Sequence, residues 1–133
     1  MAKQIKIKNA ILCEYVARGA GNKHTLVNVF SGDLVVPEFP AHLNLGLYIE
    51  LAAEGLDAHD LTVELHLASE PYVEVGVRLN KTPQTGGVAV IAVESLRAKI
   101  DRDLLLEGFI LADGYRKTKF LSKKIYKAPA LTG

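Results

Sequence analysis

From Gly114 onward the chain carries six bases and no acid: Arg116, Lys117, Lys119, Lys123, Lys124 and Lys127. Tyr115, Phe120 and Tyr126 lie among them. These residue types can hold a polyanion, the cations neutralising phosphates and the rings stacking on bases. They also have a plainer use. Lysines on both faces of a last strand stop its open edge from pairing with another chain. Alternation puts Lys117, Lys119 and Lys123 on one face of that strand, and Arg116 and Lys124 on the other. A third use is contact with an acidic surface, and the sequence offers one. Residues 24–77 contain nine acids and no Lys or Arg. Of these, Glu50, Glu64 and Glu74 take polar positions in three successive strand-like runs. If those runs are neighbours, the acids share one exposed face. That face is either ordinary solvated surface or a dock for the basic strand of another copy. A head-to-tail contact of the second kind closes into rings or runs into filaments.

Other reactive residue types are scattered. Glu54, Asp57, His59 and Asp60 crowd one loop, and Asp101 and Asp103 another. Carboxylate-rich loops can bind calcium, but this spacing is common in plain turns and no twelve-residue calcium loop is present. We read these loops as solvated and expect no metal and no cofactor. The histidines His24, His42, His59 and His66 show no ligand spacing such as His-x-x-x-His. His42 and His66 fall on polar faces of strands, as structural imidazoles. No nucleophile elbow and no phosphate loop accompany them. Ser31-Gly32-Asp33 reads as a turn or bulge rather than part of a triad. Pro37-Glu38-Phe39-Pro40 can serve as a polyproline ligand, although a crossover between sheets is the simpler reading. No catalytic constellation emerges, so a non-enzymatic protein is expected. A deep polar pocket with His59 or His66 beside a carboxylate would reverse that expectation.

The elements that must position these residues are strands. Leu43, Leu45, Leu47, Ile49 and Leu51 alternate with polar or small residues. So do Leu61, Val63, Leu65 and Leu67, and then Val73, Val75, Val77 and Leu79. Each run gives one apolar face and one wet face. Turn residues place strands at about 5–17, 24–36, 42–52, 60–68, 72–80, 88–94, 104–112 and 115–126. Gly19-Ala20-Gly21-Asn22, Thr82 to Gly87, and Asp113-Gly114 are the turn signals. Residues 95–107 read either as a short helix capped by Ser95 or as strand plus loop, and the flanking strands favour the second. The expectation is an all-β chain, an antiparallel β-sandwich of about 7–8 strands filling residues 1–133 as one domain. The closing hairpin at 106–115 adds an immunoglobulin-like architecture.

Composition sets the outer bounds. The chain has 133 residues, 49% of them apolar, and a net charge of +1. That is enough apolar content for a core and too little basic excess for a dedicated nucleic-acid domain. No apolar run reaches the ~18–20 residues that span a bilayer. Met1 to Lys8 alternates Lys with Ile and lacks the apolar segment of a secretory leader. Cys13 stands alone in a strand-like run, which suggests a buried, inert thiol in a reducing compartment. These readings place the protein in the cytoplasm, and a phage origin fits the same pattern.

Ala10 to Glu14, Thr25-Leu26-Val27 and Phe30-Ser31-Gly32-Asp33-Leu34-Val35-Val36-Pro37-Glu38-Phe39-Pro40 resemble one family of small bacterial proteins of unknown function. The resemblance covers mainly the first 40 residues. It implies an all-β fold and carries no active site. The expected function is therefore protein contact, as self-assembly or docking in a larger complex. Nucleic-acid or polyanion binding through the basic strand is the alternative. Replacing Lys119, Lys123 and Lys124 with Glu is expected to abolish association.

Overall fold

The computed structural model describes residues 3–21, 23–79 and 87–129. Among these residues there are nine strands and no helix. In chain order they are β1 (Ile7–Arg18), β2 (His24–Val29), β3 (Leu34–Val36), β4 (Ala41–Ala52) and β5 (Asp60–Leu67). Then come β6 (Glu70–Arg78), β7 (Val88–Ile100), β8 (Leu104–Leu111) and β9 (Thr118–Lys127). They form two open sheets, ordered β2-β1-β4-β7 and β3-β9-β8-β5-β6.

The period-two pattern explains which side of each strand is dry. Ile49 of β4 sits between Ala10 of β1 and Ile91 of β7, and Leu47 sits between Leu12 and Val93. In the other sheet, Leu61, Val63 and Leu65 of β5 oppose Val77, Val75 and Val73 of β6. These side chains, Val75 apart, and Leu106, Ile110, Leu121 and Ile125 join one apolar core. Full burial of each large one contributes about 2 kcal/mol.

Four readings change. The run 24–36 is two strands, because Gly32 at φ 74° turns the chain between them. β2 stays with β1, whereas β3 joins the other sheet parallel to β9, the exception in an otherwise antiparallel set. The strand from 88 continues to Ile100, because the long β4 offers partners as far as Ala41↔Ile100. That settles 95–100 as strand. The last strand begins at Thr118, and Tyr115 instead forms a parallel bridge with Lys3. Finally, β6 starts at Glu70, two residues earlier than expected. Pro37 to Pro40 does carry the chain from one sheet to the other. Residues 82–86 of the expected turn, Asn22 and Asn80 lie outside the described residues.

The β1–β2 hairpin bends sharply. His24 pairs with Arg18 at the hairpin tip, while Tyr48 pairs with Ile11, seven residues back along β1. A straight strand would separate those levels by about 23 Å. The two rings are 5.3 Å apart. The hairpin therefore folds back over the outer face of its own sheet, enclosing Cys13 and Val16, both 0% exposed. Burial raises the Cys13 thiol above its usual range, the behaviour of an inert thiol. Burial and the neighbouring Glu50 likewise raise the Tyr48 phenol.

Candidate interaction face

Of the charged residues singled out above, the outer face of the five-stranded sheet brings together Lys117, Lys119, Glu64 and Glu74. Its order is dictated by register. Lys119 of β9 lies opposite Phe109 of β8, Phe109 opposite Glu64 of β5, and Glu64 opposite Glu74 of β6. One row across the sheet thus runs cation, ring, acid, acid. Next to it, His66 lies opposite Glu107, and Leu105 opposite Lys124.

These side chains pack on one another. The His66 and Phe109 rings are 4.8 Å apart. Lys117 places its ammonium 4.4 Å from the centre of the Phe109 ring, a cation–π contact. Lys119 pairs with Glu107 at 2.7 Å. His66 Nε2 is 3.5 Å from Glu64 Oε2, and the two side chains are only 12% and 18% exposed. Glu107 is similarly enclosed at 13%. His66 is thus more enclosed than its polar-face position suggested, and its Nε2 has no hydrogen-bond partner among the described residues.

Two expectations about these residues are corrected. Glu50 does not share the face with Glu64 and Glu74. It belongs to β4 in the other sheet, where Asn9 donates to it. Lys123 does not share a face with Lys119. A bulge at Phe120 shifts the register between Gly108 and Phe109. Lys119 before the bulge and Lys124 after it point outward, while Lys123 falls on the side of Leu121 and Ile125, both buried. The bulge places the Phe120 ring against Gly108, where a Cβ would lie 2.6 Å from the ring.

Lys123 has a structural task that the sequence did not reveal. Its ammonium donates to the carbonyls of Phe30 and Gly32. Beside it, the Asp33 carboxylate accepts the Lys124 backbone N–H at 2.9 Å. The Ser31-Gly32-Asp33 stretch is therefore the clasp that ties the β2–β3 connection to β9. Lys123→Met keeps the stem and removes the charged hydrogen bonds. It is expected to cost about 2 kcal/mol in a urea melt. Lys124→Met, with its exposed side chain, is expected to stay within about 0.5 kcal/mol of the parent. A triple reversal that includes Lys123 would therefore test the fold as well as association.

The remaining candidates are dispersed. Arg116, Lys124 and Lys127 are exposed near or on β9, and Asp103 accepts the Lys127 backbone N–H at 3.2 Å. Asp57 is engaged by Lys3, and Asp60 by Arg78 at 3.4 Å. Glu54 and Asp101 are exposed. No three metal-ligating side chains converge among the described residues. His59 lines an open cleft of about 380 Å³ with Asp57, Asp60 and Asp113. A neighbouring cleft of about 630 Å³ runs between Arg78 and Lys117. No helix among the described residues is long and apolar enough to cross a membrane. No family model, no curated protein and no solved structure matches this chain.

Proposed function

We propose that this chain is a non-enzymatic β-sandwich that works by protein contact, through the outer face of its five-stranded sheet. The contact is self-assembly or docking within a larger complex. One observation carries the reading. Glu64 and Glu74 oppose each other directly on neighbouring strands, a like-charge pair that destabilises an isolated sheet. A sequence serving stability alone gains by removing it. Sites that break a local rule are where function is expected. A partner cation placed over the two acids offsets the repulsion.

Stability and association measured on the same variant test this. Glu74→Gln is expected to raise the stability of the isolated chain by about 0.5 kcal/mol and to weaken its association. Light scattering across a salt series is expected to show association that falls as salt rises. A loss of stability in Glu74→Gln would mean that the acid pair serves the fold, and the proposal would lose its basis.

The fold reading that goes with this is an immunoglobulin-like sandwich in one domain. Its support is the strand order. β1-β4-β7 facing β3-β9-β8-β5-β6 follows the order A-B-E facing A′-G-F-C-C′, with β3 parallel to β9 in the place of A′ beside G. The lone buried thiol supports a cytoplasmic setting.

Polyanion binding through β9 is the second reading, favoured by exposed Arg116, Lys124 and Lys127 beside Tyr126. Lys123 is already engaged within the chain. A labelled oligonucleotide that shows no shift at low salt ends this reading.

A further inference from the structure

We infer that the partner of this face is the same face of a second copy, related by a twofold axis running along the strands. The inference rests on the protein-contact reading above and names its occupant. The row Lys119, Phe109, Glu64, Glu74 crosses four adjacent strands, β9-β8-β5-β6. Strands lie about 4.8 Å apart, so the cation and the outer acid are separated by about 14 Å of sheet. A twofold axis parallel to the strands lays this row over its own copy and reverses the order. Lys119 then faces Glu74 of the second copy. Glu64 faces Phe109 of the second copy, where Lys117 rides 4.4 Å from the ring centre. Each acid of the repelling pair meets a cation, and symmetry makes every such contact twice. The two charges are on one face, so the assembly closes as a pair instead of growing head to tail.

The edges of this sheet favour a face-on contact. β3 has three residues and is followed directly by Pro37. β6 carries Glu70, Pro71, Glu74 and Arg78. Short, charged or proline-bearing edges resist strand addition. Five strands of about eight residues present roughly 600 Å² in projection. That is below the ~800 Å² per partner of a standard stable interface. The pair is therefore a reversible, concentration-dependent dimer.

Sedimentation of the full chain over a range of concentrations, at low and high salt, tests this. The parent is expected to dimerise, and less so at high salt. Glu74→Lys and Lys119→Glu are each expected to weaken the dimer roughly tenfold or more, because each sets like charges against each other across the interface. The double variant is expected to restore it, because the exchange regenerates both opposite pairs. Lys119→Glu also breaks the ion pair with Glu107, so each variant is melted to confirm that it folds. If that variant unfolds, Glu74→Lys alone carries the test, since Glu74 has no ion-pair partner among the described residues. A dimer indifferent to both reversals places the contact elsewhere. That overturns this interface and leaves self-assembly standing. A chain that is monomeric at every concentration overturns the second copy as occupant, and the face then has another protein as partner or none.

Discussion

Gly46→Ala is expected to lower the stability of this protein by about 3 kcal/mol, the upper end of the usual cost of overpacking. Gly46 lies in β4, where β1 begins its fold over the sheet. A Cβ there would lie 2.9 Å from the carbonyl oxygen of Glu94, 3.2 Å from Cys13 Sγ and 3.2 Å from Tyr15 Cα. Two of these three neighbours are backbone atoms, in strands held on both sides of β4 by their ladders. Neither can rotate aside as a flexible side chain can. The added methyl must push β1 off the sheet, opening the pocket that encloses Cys13 and Val16. In a urea melt the midpoint should fall without a change in slope. Gly76→Ala is the control, since nothing lies within 4 Å of a Cβ at that site. It is expected to stay within about 0.5 kcal/mol of the parent. Equal behaviour of the two variants would mean that β1 does not cross β4 so closely.

Ile49→Ala is expected to cost about 4 kcal/mol, within the range of buried aliphatic truncations. Ile49 is 0% exposed. It stands in the middle of β4, between Ala10 and Ile91 on the neighbouring strands. Ala10 cannot reach into the space left by the lost carbons, so the site closes poorly and the cavity term stays large. A domain of this kind has about 5–15 kcal/mol of stability in total, so the variant should melt far below the parent. Val35→Ala, at a side chain 52% exposed, should lie within about 0.5 kcal/mol of it. A loss below about 1.5 kcal/mol at Ile49 would mean that the core repacks around the truncation.

The strands were legible because their signal is local. The alternation of Leu43 to Leu51 states which side of β4 is dry, whatever its neighbours. The same holds for Leu61 to Leu67. The burial of Cys13 was read correctly from its apolar run. Its enclosure between a folded hairpin and Gly46 was not, since no local pattern marks that bend. The turn at Ser31-Gly32-Asp33 was read from its residue types, but not that it parts two strands of different sheets. Val29 and Phe30 before the turn and Leu34 to Val36 after it are all apolar, and only the pairing of Leu34 with Ile125 shows that the chain has changed sheets.

The candidate face was half legible. Residue types and charge segregation identified Lys119, Glu64 and Glu74, but spacing along the chain cannot say which strands are neighbours. The three acids looked equivalent, and the crossover at Pro37 to Pro40 sends Glu50 to the other sheet. One bulged residue, Phe120, moved Lys123 from the wet side to the core side, because a period of two turns a single extra residue into a change of face. The sequence by itself determined that the chain is all-β, which strand residues are apolar or polar, and how unevenly its charge is spread. These follow from side-chain chemistry and a two-residue repeat. Only the tertiary structure decided strand order, the bulge and the hairpin bend. Those depend on hydrogen bonds between strands far apart in sequence, so they determine which charges meet on one face and which are spent inside the fold.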